Sequence, residues 1–594
     1  MKKKQEQQNK ILNVKKENWK QFTLILLAII AINIISGFVF HRFDLTKEKR
    51  FTLSASTKNM LKNLDDVVYV KVYLYGKNLP ADFQELSLKT RELLDEMRAY
   101  SDNIEYEFID PTKGKSGAEL KAIYGELYQK GLRPQAIQSM ESDGVSTHYI
   151  VPGALVCYQS FEVPVQLADA DEGLLTQREE IINYSMEKLE YNMSNTIRRI
   201  THQQNAKVAF LKGHGELSNI DVFKAAVAIA QFYEVDSVIL DNKISSIFDI
   251  EVKDSISGDY RIKGNKYDLL IIAKPTIPFG DYEKYLLDQF VMRGGRLLWY
   301  VDPVMAEIDS MYNYPEMPCL PRDLNLDDMF FRYGVRFNTN LLQDLNALAI
   351  PVSSGEQVAG QNQYKLIPFY YFPIITPYAK HPIVNNLSLL RSEFISSIDT
   401  IGAGNSGVKK TILLTTSENT KVVNTPAIIS LEVLKRRADM LQFNKQYLPV
   451  SVLVEGTFHS LYTDLQGEHI KELGLISESR PTKMVFVADG DMIKNQLGDN
   501  FIYPLGYDRY TNTAFANKNF LLNAVNYLCD DEEILQVRSK DFKMRLLDKN
   551  KILKQRTFWQ CLNMIVPLLM IILLGIGLYT TRNLTYKKKT NYEK

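Results

Sequence analysis

Acidic and imidazole side chains stand where an α/β sheet could put them to chemical use. Gly213-His214-Gly215-Glu216 follows the apolar run 207–211, Asp302 follows Arg296–Val301 (RLLWYV), and Asp489-Gly490-Asp491 follows Met484–Ala488 (MVFVA). The carboxyl ends of parallel strands are where such sheets hold ligands. Together His214, Glu216, Asp302, Asp489 and Asp491 are candidates for one ligand crevice, able to bind a cation or to act as acid and base. The competing explanation is that short acidic residues cap the turns and helices that follow, and it is the stronger of the two.

Other chemistries lack their scaffolds. Gly213-x-Gly215 resembles a phosphate loop, but Ser218 stands where a dinucleotide fingerprint needs Gly, and two glycines are also what a tight strand-to-helix turn requires. No GxxxxGK[ST] occurs, so the chain has no P-loop for ATP. There is no G-x-S-x-G elbow, and the 7 histidines form no H-E-x-x-H. The 4 cysteines (Cys157, Cys319, Cys529, Cys561) have no CxxC spacing, although one bridge among the first three stays open in an oxidising compartment. Catalytic, cofactor and metal residues are therefore assigned to none of these positions. The run Phe369-Tyr370-Tyr371-Phe372-Pro373 suits a carbohydrate or a partner chain, but equally a half-buried strand.

The periodicities predict the elements that must carry these residues. Val67–Tyr75 and Ile104–Ile109 read as strands around an amphipathic helix at Asp82–Tyr100, a thioredoxin-like β-α-β unit. A hairpin over Tyr149–Leu167 and a bridging helix over Glu179–Arg199 follow. From 206 onward strands and helices alternate (207–211, 222–232, 235–240, 267–273, 282–292, 296–301), which argues a doubly wound parallel sheet. Residues 304–480 break the alternation and read as a β-rich insertion. The sheet resumes over 481–530, closing with a helix at Lys518–Leu528.

Composition excludes some classes of partner. Of 594 residues, 45% are apolar and 24% charged, and 71 Lys+Arg against 70 Asp+Glu give a net charge of +1. No field of one sign would attract nucleic acid. The charge is asymmetric only at the termini. Phe22–Phe40 and Cys561–Tyr579 are uncharged 19-residue runs, each about 28 Å long as a helix, enough to span a bilayer. Lysines crowd the tail before the first, and Arg582, Lys587, Lys588 and Lys589 follow the second, which places both tails (1–21 and 580–594) in the cytoplasm. No cleavage-type motif follows the first run, so it reads as an anchor. The expected order is anchor 22–40, N-terminal α/β domain 41–205, central domain 206–303 plus 481–530, linker 531–560 and anchor 561–579, with the body outside the inner membrane. Asn33, Ser36, Gly37, Gly575 and Gly577 form small-residue patches suited to close helix contact in lipid, either with a partner's helices or with each other.

The stretch Arg42–Leu61 (RFDLTKEKRFTLSASTKNML) after an N-terminal anchor resembles the gliding-motility-associated ABC transporter substrate-binding protein (GldG type) of Bacteroidetes-type bacteria. So do Asp110-Pro111, the 213–216 turn, Phe290–Pro303 (FVMRGGRLLWYVDP), Asp489–Asp491 and Asn519–Leu528. The central body is similar to the ABC-type transport auxiliary domain, which implies an amidotransferase-like α/β fold without its catalytic Cys. The resemblance implies a non-enzymatic periplasmic subunit without cofactor, partnered by a multi-span permease and a cytoplasmic ABC ATPase, its ligand unspecified. Two other readings stand beside it: a periplasmic hydrolase using the acidic crevice, and a structural tether of envelope machinery.

Overall fold

The computed structural model describes residues 52–529 apart from short internal stretches, the longest being 169–177 and 464–474. It also describes residues 19–20, 22–24, 26–30, 561, 564–581 and 583. The chain is a mixed α/β protein with many sheets, and residues 541–594 form a compact unit distinct from the body.

The N-terminal part begins with helix α1 (Ala55–Lys62), whose N-cap Ser54 accepts a hydrogen bond from the Thr57 amide. Strand β1 (Val68–Val72), helix α2 (Ala81–Tyr100) and strand β2 (Ile104–Phe108) follow, with β1 and β2 parallel. Strands β3 (Gly153–Tyr158) and β4 (Phe161–Gln166) form a hairpin, and β3 lies antiparallel to β1. The sheet order is β2-β1-β3-β4. Helix α3 (Arg178–Thr201) packs on this unit, and its Glu190 accepts hydrogen bonds from the Ser54 amide and the Thr57 hydroxyl.

The central sheet collects four strands that read as largely apolar runs and, at its edge, the half-polar strand Glu234–Ile239. These are β5 (Lys207–Lys212), β6 (Glu234–Ile239), β7 (Leu269–Ala273), β8 (Arg296–Tyr300) and β13 (Thr482–Val487), all parallel in the order β6-β5-β7-β8-β13. Alternation along each strand fills two cores. Phe210, Ile271, Leu298 and Val485 join one core, covered by helices α4 (Phe223–Ala230) and α6 (Asn517–Cys529). Leu211, Leu270, Trp299 and Phe486 join the other, under helix α5 (Asp281–Met292). Helices on both faces explain why β5, β7, β8 and β13 lack a polar face.

The stretch 304–480, read from sequence as a β-rich insertion, carries strands that join the central sheet. Its strands β9 (Ala347–Val358), β10 (Gln361–Pro377), β11 (Lys409–Thr415) and β12 (Pro449–Gly456) extend the same ten-stranded sheet beyond β13. The physical reason is pairing: β12 lies antiparallel to β13 in the register Ser451↔Val487 to Gly456↔Thr482, and its central residues are buried. The aromatic run falls in β10, where Phe369, Tyr371 and Phe372 are core residues, as in the half-buried strand the pattern also suited. None of the four cysteines is in a disulfide in the structure.

Among the described residues one helix, Met564–Thr581, is long and apolar enough to cross a membrane, with a mean hydropathy of 2.2. Gly575 and Gly577 lie on it with no atom within contact range of an added Cβ. In the first expected span, residues 22–24 and 26–30 are helical and exposed. Asn33, Ser36 and Gly37, like most of both tails and the 531–560 linker, lie outside the described residues.

Candidate functional site

Each strand of the central sheet delivers its last residues to one edge. Lys274 follows β7 in the left-handed region (φ 57°), held there by its amide bond to the Tyr300 carbonyl (2.8 Å). Asp302 follows β8, while Asp489 and Asp491 follow β13. One oxygen from each of the three carboxylates lies within 4.8 Å of the others. All three are buried, at 5% exposure or less.

Lys274 supplies the cation. Its Nζ is 2.7 Å from Asp491 Oδ2 and 3.3 Å from Asp302 Oδ2. Burial favours the neutral amine, but Asp302 and Asp491 outweigh it and raise the pKa, so the group stays an ammonium. Its stem runs over Gly490, where a Cβ would stand 2.5 Å from Lys274 Cγ, so only glycine admits it. Backbone donors complete the cluster: Gly490 N–H to Asp302, Asp491 N–H to Asp489 Oδ1 (2.7 Å), and Glu393 N–H to Asp489 Oδ2 (2.8 Å). Burial pushes the Asp302 carboxyl up against the pull of Lys274. Burial also lifts Asp489 well above the usual carboxylate range, with Asp302 and Asp491 adding to it.

The loop after residues 390–391 adds Arg391 and Glu393, whose side chains pair with one another. Asn517, at the start of α6, pins this loop by donating to the Arg391 carbonyl (2.9 Å) and accepting from the Arg391 amide (2.9 Å). Burial raises the Glu393 carboxyl, and Arg391 opposes that shift. Glu393, Asp491 and Arg391 line a cavity of about 370 Å³ together with Leu348, Ile350 and Phe372. That volume lies at the lower end of small-molecule pockets.

His214 and Glu216 make a separate cluster. His214 is 3% exposed and stacks on Phe279 with centroids 3.7 Å apart. Its Nε2 lies 2.9 Å from Glu283 of α5, and its Nδ1 lies 3.4 Å from Glu216. Burial lowers the imidazole pKa, but the two carboxylates prevail and raise it. Neither His214 nor Glu216 lines the cavity beside Asp491. The structure thus gathers the three aspartates and sets the 213–216 turn apart as a packed strand-to-helix corner. The residues that sequence reasoning missed are Lys274, Arg391 and Glu393. The one local signal was a lysine ending an otherwise apolar strand (LLIIAK) and followed by Pro275.

A run of parallel strands covered by helices on both faces, with charged residues collected at its carboxyl edge, defines the central body as an α/β domain. The chain belongs to the family described as the ABC-type uncharacterized transport system, whose model matches residues 205–524. A second model, of a domain of unknown function, matches residues 47–157. An uncharacterized protein of Borreliella burgdorferi is 21% identical over 593 residues, covering 97% of this chain and 98% of its own length. Among solved structures, the mmIFT52 N-terminal domain aligns with a TM-score of 0.29 and 11% identity, over 55% of this chain and 99% of that one. The exo-beta-1,4-mannosidase Op5Man5 from Opitutaceae bacterium strain TAV5 aligns with a TM-score of 0.23 and 9% identity, over 79% of this chain and 53% of that one. Neither structural likeness carries an argument at these scores.

Proposed function

We propose that the protein is a membrane-anchored, non-enzymatic accessory subunit of an ABC-type transport complex, with its body in the periplasm. The observation that carries this reading is the family match over the whole central sheet, in a chain that also has an exposed apolar helix at Met564–Thr581. In it, anchors at both ends and cytoplasmic basic tails make a two-pass inner-membrane protein. A separate permease and ATPase supply the path and the hydrolysis, and the finer assignment is the gliding-motility (GldG-type) branch. The strand order β2-β1-β3-β4 supports a thioredoxin-like N-terminal domain, and the order β6-β5-β7-β8-β13 supports a doubly wound, amidotransferase-like central one. Mild detergent extraction tests the reading: permease and ATPase are expected to co-purify with the full chain, and recovery of neither sinks it. Gliding that survives replacement of the body by an inert domain between the same two helices would remove the motility role.

The hydrolase reading gains one observation, the convergence of Asp302, Asp489 and Asp491. Against it, Lys274 already neutralises the pair it touches, and Asp489 is fully buried with both oxygens accepting backbone N–H bonds. A carboxylate so engaged supports a fixed backbone rather than a proton relay to substrate.

A further inference from the structure

The N-terminal domain carries a groove of its own, within the stretch 47–157 that matches a domain of unknown function. Several pieces of chain build it. Tyr73 and Tyr75 follow β1, and Asp110 follows β2. The helix Gly117–Gln129 contributes Leu120, Tyr124 and Tyr128, whose i, i+4 spacing puts them on one face. Tyr149 comes from the end of the strand Gly144–Ile150. The space is about 1280 Å³, larger than the usual small-molecule pocket, which suits an extended ligand.

Tyrosine dominates the lining. Tyr75, Tyr128 and Tyr149 are 47%, 66% and 51% exposed, an aromatic surface that folding leaves uncovered. Tyr124 donates its hydroxyl proton to the Tyr149 carbonyl (3.1 Å), and the two ring centroids stand 5.7 Å apart, which fixes the pair as a platform. The hydroxyls of Tyr73, Tyr75, Tyr128 and Tyr149 have no hydrogen-bond partner among the described residues. Asp110 accepts from the Thr112 amide (2.9 Å) and hydroxyl (2.6 Å) through Oδ1, while its Oδ2 has no donor among the described residues. Gly125 is an independent sign. It lines the groove from inside the helix, and a Cβ added there would meet no atom within 4 Å. Glycine weakens a helix interior, and no packing contact demands it here. Its effect is to keep the groove open beside Tyr124.

The wall thus offers flat apolar faces edged by hydroxyls that both donate and accept, and one carboxylate oxygen that accepts. A pyranose ring is built the same way, with a C–H face and a rim of hydroxyls. A proline-rich segment also stacks on aromatic rings, but its backbone offers acceptors alone, so Asp110 Oδ2 would lose water and gain no donor. Asp110 stands against Lys113 and Lys121, both exposed, which leaves little field to select an ionised polymer.

We propose that this groove binds a neutral oligosaccharide, with pyranose rings stacked on Tyr128 and Tyr149 and a sugar hydroxyl donating to Asp110 Oδ2. Binding here does not require assembly with a permease, so its failure and the failure of the accessory role are separate results. The test is calorimetric titration of the full chain, in a detergent without a sugar head group, with cellotetraose, maltotetraose and chitotetraose, and with decaproline beside them. Saturable binding of at least one tetrasaccharide is expected, tighter than its own monosaccharide by about tenfold or more. Gly125→Leu fills the groove without burdening the helix, and Tyr128→Ala removes an exposed stacking face. Each, checked for folding by thermal unfolding, is expected to weaken that tetrasaccharide by about tenfold. Should one variant fail to fold, the other carries the same comparison. Absence of saturable binding with all three sugars, a monosaccharide bound as tightly as its tetrasaccharide, or wild-type affinity in a folded variant overturns the proposal. So does decaproline binding more tightly than every sugar, since that would make it a peptide groove.

Discussion

The ammonium of Lys274 lies 2.7 Å from the carboxylate of Asp491, 217 positions away in the chain. The contact joins the end of β7 to the end of β13 across β8, whose own Asp302 is the second partner at 3.3 Å. Three strands are therefore tied at their carboxyl edge by one buried cation. Removing it strands two buried carboxylates. Lys274→Met is expected to destabilise the body by about 3–5 kcal/mol, and adding Asp491→Asn in the same chain should recover part of that loss. Thermal or denaturant unfolding of the full chain measures both, and equal stability of Lys274→Met and wild type would refute the tie.

Asp288 plays the corresponding part inside α5. It is fully buried and accepts from Ser460 Oγ (2.6 Å), Leu461 N (3.1 Å), Tyr333 Oη (3.0 Å) and Gln289 Nε2 (3.2 Å). Burial raises its carboxyl pKa while those donors pull it down. Asp288→Ala leaves them without an acceptor and should cost about 2–4 kcal/mol, against about 1 kcal/mol for Ser460→Ala. Protease sensitivity around 458–463 should rise in the first variant and barely change in the second. The reverse order would show that the carboxylate does not hold this loop.

At the 213–216 corner, Gly215 has φ 68° and a Cβ there would fall 2.1 Å from Thr276 Oγ1. Thr276 in turn donates to the Gly215 carbonyl (3.0 Å). Gly215→Ala combines backbone strain with this clash and should lower stability by about 2 kcal/mol or more. Thr276→Ala in that background removes the clashing oxygen and should restore only part. Full restoration would mean that the left-handed backbone is not the constraint.

What the sequence made legible follows from the range of the interactions involved. Strands β5, β7, β8 and β13 and helices α2, α3, α5 and α6 are visible as periodicities because burial on one or both faces selects residue types locally. The convergence of Asp302, Asp489 and Asp491 was foreseeable because parallel strands deliver their ends to one edge. Lys274 was not, because nothing near it in the chain shows that an ammonium would meet carboxylates from two other strands. The place of β12 was hidden for the same reason: its partner β13 lies further along the chain, and hydrogen-bond pairing leaves no local pattern. Glu393 and Arg391 sit on a loop fixed by Asn517, a contact that spans 126 positions.

His381 offers a prediction that depends on pH. It is 8% exposed, its ring meets Tyr527 edge-on at 4.7 Å, and its Nδ1 accepts from the Ile383 amide (3.3 Å), so it is built in as a neutral imidazole. Burial, with Lys409 and Lys483 repelling a second charge, pushes its pKa down from 6.5 to about 4. Between those two values the unfolded chain binds a proton that the folded chain refuses. The stability contributed is therefore complete above pH 6.5 and is lost as pH falls towards 4, by about 3 kcal/mol in all. His381→Gln should be less stable at neutral pH and should flatten the slope of stability against pH across this window. Parallel slopes for the variant and wild type from pH 6.5 to 4 would show that another group carries the acid sensitivity.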